Sequence, residues 1–197
     1  MNLPNKLTLL RIVLVPFFVA ALLAQFPHHM LVALVIFSLA SITDCLDGKI
    51  ARKRGLITNF GKFADPLADK ILVVSAFICF VQLGFASAWL AIIVIFREFA
   101  VTSIRLCASA GGKVIAANIW GKLKTVSQMT AIIAVMLMQY VFDLFTMGIF
   151  SISAESLSTL TLVFTVISSI LLWVSAILTL ISGIIYIVDN KEFISQR

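Results

Sequence analysis

Charge is what this chain has least of. Only 12% of its 197 residues are Asp, Glu, Lys or Arg, against 61% hydrophobic, whereas a soluble domain carries about a quarter charged residues. With a mean hydropathy of +1.12 there is too little polar surface to cover a globule in water. That excludes a soluble helical bundle and points to a membrane protein. Cysteine is scarce too. Cys45, Cys79 and Cys107 are far apart and form no C-x-x-C pair, so buried apolar thiols are expected rather than a disulfide framework or a thiolate metal site. No low-complexity segment, convincing repeat or Pro/Gly/Ser linker breaks the chain, which argues for one domain over residues 1–197. Lys6 and Arg11 precede an apolar run as in a signal peptide, but Asn5, Thr8 and Arg11 intrude on it and no small-x-small cleavage site follows. A retained first span is expected.

What the chain does have is long apolar runs. Crossing about 30 Å of hydrocarbon at about 1.5 Å per residue takes about 20 residues. Six stretches meet or approach this, near Leu7–Gln25, Met30–Ile50, Phe60–Leu83, Ser87–Ala108, Asn118–Phe142 and Leu157–Val188. The expected fold class is therefore all-α, a polytopic membrane protein with six transmembrane helices. Pro27-His28-His29 and Gly84–Ala86 read as tight turns on one side, and the segment Asp143–Ser156 reads as the longest connection. With a cytoplasmic amino terminus, an even number of spans returns the carboxyl terminus to the same side. All fifteen Lys and Arg residues then fall at, or within reach of, the cytoplasmic half, and only His28, His29, Asp143 and Glu155 face the other side. That asymmetry is the positive-inside pattern. The net charge of +6 is then a basic layer facing anionic lipid headgroups and phosphorylated substrates, and nucleic acid is not an expected partner.

Topology alone does not explain charges inside apolar spans, which are costly and usually functional. Asp44 and Asp47 are three apart near the end of the second span, and Asp65 and Asp69 are four apart near the start of the third. Each pair shares a helix face, and the short connection makes the two helices antiparallel neighbours. Four carboxylates converging just below the membrane surface repel strongly unless something neutralises them. Protonation, pairing with Lys49, Arg52 and Lys70, an ion or proton pathway, and one or two divalent cations such as Mg²⁺ or Mn²⁺ are all physically open. The small residues Gly48, Ala51 and Gly61 around them let a bulky ligand approach the backbone, or let helices pack closely.

The run Asp44-Cys45-Leu46-Asp47-Gly48-Lys49-Ile50-Ala51-Arg52, then eight residues, then Gly61-x-x-x-Asp65-x-x-x-Asp69 resembles the signature of the CDP-alcohol phosphotransferase family, D-x2-D-G-x2-A-R-x8-G-x3-D-x3-D, at every fixed position. Six spans with both ends cytoplasmic resemble that family over nearly the whole chain. The resemblance implies a cytoplasmic-side active site in which Asp44, Asp47 and Asp65 are metal ligands, Asp69 is both ligand and general base, and two divalent ions bind the diphosphate of a CDP-linked lipid. It places Gly48, Ala51, Arg52 and Gly61 near the cytidine nucleotide and suggests a homodimer. Asn5, Thr8 and Arg11 recur every third residue and either line the donor site or anchor the helix at the interface.

The acceptor alcohol rests on further segments. Asn5-x-x-Thr8-x-x-Arg11, Asp65-Pro66-Leu67-Ala68-Asp69-Lys70, Arg97-Glu98-Phe99 with Arg105, and Trp120-Gly121-Lys122-Leu123-Lys124-Thr125 resemble the bacterial branch of the family whose acceptor is sn-glycerol 3-phosphate and whose donor is CDP-diacylglycerol. Arg97, Arg105, Lys122 and Lys124 supply cations for an anion pocket, Arg for bidentate phosphate recognition and Lys as a point charge. Glu98 either orients an arginine or makes a plain salt bridge. A bacterial inner or plasma membrane location follows. The runner-up is the branch that uses phosphatidylglycerol and forms cardiolipin, and from another class a divalent-cation transporter, for which the Arg52 and Gly61 spacings have no evident purpose.

Overall fold

The computed structural model describes residues 3–54, 59–110, 118–151 and 153–191; within these, the side chains of 3–4, 44–54, 59–66, 69 and 110 lie outside the described residues. Six α-helices follow one another: α1 (Leu3–Leu23), α2 (His29–Arg54), α3 (Asn59–Gln82), α4 (Ala88–Ala110), α5 (Ile119–Thr146) and α6 (Ala154–Asp189). They coincide with the six apolar stretches to within about one helical turn. Among the described residues, three helices are long and apolar enough to cross a membrane, over Asn5–Leu23, Ile119–Thr146 and Ala154–Asp189. Shorter apolar stretches lie at His29–Thr43 in α2 and Lys70–Gln82 in α3. α4 has 23 residues, about 35 Å of helix, but carries Arg97, Glu98 and Arg105 along it.

Each helix packs mainly on two others, and the pairings close into a ring. α1 lies against α2 and α3, α2 against α5, α5 against α6, α6 against α4, and α4 against α3. Among the described residues α2 and α3 touch each other only slightly, and α1 lies against both. Fully buried alanines (Ala33, Ala40, Ala76 and Ala176) sit beside Phe18, Phe37, Phe77, Phe80, Met136 and Leu172 in the core. Small residues bring the helix axes close, and the large side chains fill what remains. Phe18 of α1 and Phe37 of α2 meet with ring centroids 5.5 Å apart.

The polarity is the reverse of that in a soluble bundle. Phe17, Phe96, Phe99, Leu106, Leu162 and Ile184 are exposed, while Asn5, Thr8, Arg11, Arg97, Glu98, Lys124 and Gln128 are buried. In water such a surface would aggregate; against lipid tails it is the favourable arrangement, with polar groups turned inward to find partners.

The helix ends far from the charged residues are closed by local chemistry. Gly84 (φ 79°) and Gly148 (φ 75°) take the left-handed conformation. After α3, Phe85 N–H donates to the Phe80 carbonyl at 2.8 Å and Gly84 N–H to that of Val81 at 3.2 Å; after α5, Ile149 donates to Leu144 at 3.2 Å and Gly148 to Phe145 at 3.0 Å. Both are Schellman closures, and the Phe80 and Phe85 rings, 5.9 Å apart, add the apolar contact that accompanies the motif. α5 continues to Thr146, so the connection expected at Asp143–Ser156 shrinks to residues 147–153. Asp143 thus stays on the helix, with His29 Nε2 3.8 Å from its Oδ2. Beside it the Tyr140 hydroxyl lies 3.2 Å from His28 Nδ1, so the two histidines tie the α1–α2 turn to α5.

A Cβ added at Gly84 meets nothing within 4 Å, so substitution there tests backbone conformation alone. Gly84→Ala is expected to cost about 1–2 kcal/mol, read as a lower Tm in detergent, and Gly84→Asn less, since Asn tolerates this region better. Equal Tm values for all three proteins would show that the turn does not depend on the left-handed residue.

Candidate functional site

The four aspartates stand where helical spacing continues the buried stripes of their helices. Asp44 and Asp47 come four and seven residues after the buried Ala40 on α2, and Asp65 and Asp69 come seven and three residues before the buried Leu72 on α3. The side chains of Asp44, Asp47, Asp65 and Asp69, and those of Gly48, Ala51, Arg52 and Gly61, lie outside the described residues. No group of three His, Cys, Asp or Glu side chains suited to a metal occurs among the described residues.

What borders the aspartate helices is described. α1 packs on both of them and turns Asn5, Thr8 and Arg11 inward, with 7%, 0% and 1% of their surfaces exposed. Residues that recur every third position stay on one face for a few turns, and here that face is the interior of the bundle. A headgroup anchor would keep its polar groups in the interface, whereas these three are turned into the bundle. Lys70, directly after Asp69, donates to the Thr102 hydroxyl of α4, and that hydroxyl donates to the Glu98 carbonyl at 2.6 Å. α3 is thereby tied to the second half of the ring.

That second half holds a buried ionic cluster. Lys124 of α5 donates to Glu98 Oε1, and Arg97 Nη1 approaches the same oxygen at 3.4 Å. Arg97 Nη2 donates to Ser182 Oγ of α6 at 2.7 Å. Two turns further along α4, the exposed Arg105 places its guanidinium 5.4 Å from the centre of the Tyr186 ring and donates from Nε to the tyrosine hydroxyl at 3.2 Å. Gln128 Nε2 donates to Thr179 Oγ1 at 3.0 Å, closing α5 onto α6 below the ions. Glu98 therefore makes the salt bridge, and it shares that bridge between a lysine and an arginine.

Of the four cations expected to face an anion, Arg97 and Lys124 meet at Glu98, and Arg105 lies on the same side, against α6. Lys122 is exposed; two residues along a helix turn a side chain by about 200°, so it points away from Lys124. Missing from the sequence reading are the α6 partners, Thr179, Ser182, Gly183 and Tyr186. Their signal was present: in a strongly apolar helix, Ser175, Thr179, Ser182, Gly183 and Tyr186 follow one another at intervals that keep them on one face.

A cavity of about 600 Å³ opens at the opposite end, between the α3–α4 turn, α5 and α6, with Ser87, Gln139, Phe164, Thr165 and Trp173 in its lining. Its lining contains no Asp, Glu, Lys or Arg, so it has nothing to balance a phosphate or a diphosphate.

The described residues thus put a buried polar face on α1 and a buried cation cluster shared by α4, α5 and α6 in one helical bundle with an apolar exterior. The family model for CDP-alcohol phosphatidyltransferases matches residues 1–188, and the chain belongs to this family. Among its relatives, the CDP-diacylglycerol–glycerol-3-phosphate 3-phosphatidyltransferase of Bacillus subtilis (strain 168) is 41% identical over 203 aligned residues, covering 97% of this chain and 96% of that protein. Proteins of the same name are 37% identical in Wigglesworthia glossinidia brevipalpis, over 80% of this chain and 88% of that one, and 31% identical in Rickettsia bellii, over 98% and 97%.

Removing the shared acceptor of the cluster isolates its contribution. Glu98→Ala strands a buried arginine beside a buried lysine and is expected to cost about 3–5 kcal/mol, seen as a large loss of Tm or of folded protein in detergent. Glu98→Gln keeps an acceptor oxygen and is expected to lose less. Wild-type stability in Glu98→Ala would show that the cluster is not held by its carboxylate.

Proposed function

We propose that this chain transfers the phosphatidyl group of CDP-diacylglycerol to sn-glycerol 3-phosphate, giving phosphatidylglycerophosphate and CMP. The observation that carries the reading is the buried Arg97–Glu98–Lys124 cluster in a chain similar, over almost its full length, to proteins named for that reaction. A phosphorylated acceptor must be met by fixed cations in a place where water does not screen them. Arg97 and Lys124 have that character, and Arg105 extends it toward the surface. Phosphatidylglycerol as acceptor needs such a site less.

In this reading Asp44, Asp47, Asp65 and Asp69 hold two divalent ions, Mg²⁺ or Mn²⁺. The donor set fits them, since it consists of carboxylate oxygens only, two on each of two helices, and hard ions prefer oxygen ligands. When bound, the ions supply neutralisation of the diphosphate and of the departing CMP. Asn5 and Thr8 on α1, with Gly48, Ala51, Arg52 and Gly61, border the CDP moiety. Arg97, Arg105 and Lys124 hold the acceptor phosphate, with Lys122 at the rim. Asp69 takes the proton of the acceptor hydroxyl as its oxygen attacks the phosphorus that bears diacylglycerol. The bond from that phosphorus to the bridging oxygen breaks in line, and CMP leaves with the electron pair. Positioning and charge balance suffice, and no phosphatidyl-enzyme forms.

The six helices span a bacterial plasma membrane with both termini and the active site on the cytoplasmic side, and two copies associate as a homodimer. The membrane placement is supported by the apolar exterior, the gathering of cations toward one end of the bundle and the length of α6, about 54 Å for its 36 residues; the homodimer rests on the family resemblance alone.

One assay separates the readings. Purified protein with CDP-diacylglycerol and Mg²⁺ is expected to release CMP when given glycerol 3-phosphate, and not with phosphatidylglycerol or serine. Release with phosphatidylglycerol only would replace the acceptor; no release, together with metal flux into liposomes, would replace the enzyme by a transporter. EDTA should abolish turnover and added Mg²⁺ or Mn²⁺ restore it. Asp69→Asn should lower kcat by about 10²–10⁴ at unchanged Tm, and substantial residual activity would remove Asp69 as the base.

A further inference from the structure

Arg97 leaves α4 directly opposite Gly183 of α6. A Cβ at Gly183 would stand 2.9 Å from Arg97 Cγ and 3.8 Å from its Cβ. The closer contact falls at the root of the side chain, where a flexible tip cannot swing aside, so the whole arginine must shift or α4 and α6 must separate. Further out, Ser182 Oγ accepts from Nη2 at 2.7 Å, Glu98 Oε1 lies 3.4 Å from Nη1, and Gly121 at the start of α5 leaves room beside Nη2, since a Cβ there would lie 3.8 Å from it. The guanidinium is thus bounded by three helices, although α6 supplies neither a charge nor a large side chain to the contact.

One donor stays unused. Arg97 is 8% exposed, and its Nε has no hydrogen-bond partner among the described residues. A buried donor left unmatched costs free energy. Two of the three nitrogens are engaged by Ser182 and Glu98, in an orientation that reserves the third.

We propose that Ser182 and Gly183 are positioning residues for acceptor choice: they hold Arg97 so that its Nε–H is presented to an oxygen of the acceptor's phosphate. This rests on the glycerol 3-phosphate reading above. It places the selectivity for a phosphorylated alcohol partly on α6, a helix with no cation in the cluster. Small residues at 182 and 183 set where the arginine points, and the arginine sets affinity for the dianion.

The test is steady-state kinetics of full-length Ser182→Ala, Gly183→Ala and Ser175→Ala in CDP-diacylglycerol mixed micelles, with both substrates varied and Tm measured alongside. Ser175→Ala is the control, because Ser175 is equally buried on the same face of α6 and donates only to its own helix, at the Leu172 carbonyl. Losing one hydrogen bond to a charged group corresponds to about tenfold or more in affinity. Gly183→Ala is expected to raise KM for glycerol 3-phosphate about 10–100-fold and Ser182→Ala about 3–10-fold. KM for CDP-diacylglycerol and kcat should stay within about twofold, and Ser175→Ala should resemble the wild type. Ser182→Ala only removes atoms, so it carries the test if Gly183→Ala does not fold. An unchanged glycerol 3-phosphate KM in a folded variant, or parallel rises for both substrates, overturns the proposal. If the wild-type protein releases no CMP with glycerol 3-phosphate, it is the acceptor reading that falls.

Discussion

Glu98 takes Lys124 from α5 and Arg97 from its own helix, and Arg97 in turn reaches Ser182 on α6. The second half of the ring depends on this one carboxylate. In a bundle whose exterior is apolar, each of these ions has left water, and the loss is offset only where an opposite charge or a good hydrogen bond stands ready. Sharing one carboxylate between two cations holds α4 and α5 together at one level, and the arginine's second arm fixes α6 there too. Gln128–Thr179 and Arg105–Tyr186 continue the seam on either side. Hydrophobic packing does not specify this register, because lipid and helix faces are equally apolar; the polar contacts do.

The two ends of the bundle solve different problems. At the far end the helices stop by backbone chemistry, with left-handed glycines closing α3 and α5 and histidines linking the α1–α2 turn to α5. These arrangements need no net charge. At the other end polar and charged groups are concentrated, and α1, which packs on both helices that bear the aspartates, turns three polar residues into the bundle. The cavity at the far end, free of charged lining, belongs with the first set of arrangements and not the second.

Much of this was legible in the sequence, for physical reasons. Long apolar runs have few alternatives to helices in a membrane, so helix number and approximate ends followed from length and hydropathy alone. Asp143 is the exception: the helix runs past the apolar stretch to Thr146 and carries the acid beside His29. Arg97, Glu98 and Lys124 stood out because charge in an apolar span is costly. Ser182 and Gly183 did not: hydroxyl groups and glycines are common in membrane helices as packing residues, and only coordinates show which of them face an arginine. Lys122 and Lys124 looked equivalent in the chain and part once the helix phase is fixed. That α1 packs on both α2 and α3 among the described residues was also hidden, since a short connection says which helices follow one another and not what else lies beside them.

The ring order suggests a division of labour. α1, α2 and α3 form one arc, carrying the CDP-alcohol signature and the buried face of α1; α4, α5 and α6 form the other, carrying the cation cluster. They meet where α2 packs on α5 and α3 on α4, and the second seam is bridged by Lys70, the residue after Asp69, bonded to Thr102 one turn from Glu98. On the proposed reading the first arc handles the nucleotide-linked donor, which is common to the family, and the second handles the alcohol, which is not. Changing the acceptor then requires changes only at the surface that α4, α5 and α6 share, leaving the aspartates untouched. Within that surface the residues easiest to change without stranding a buried charge are the neutral ones on α6, since replacing Glu98, Arg97 or Lys124 leaves a partner uncompensated. Selectivity set through small neutral side chains therefore leaves the charge balance of the cluster intact, although at Gly183 the space beside Arg97 limits what can be added.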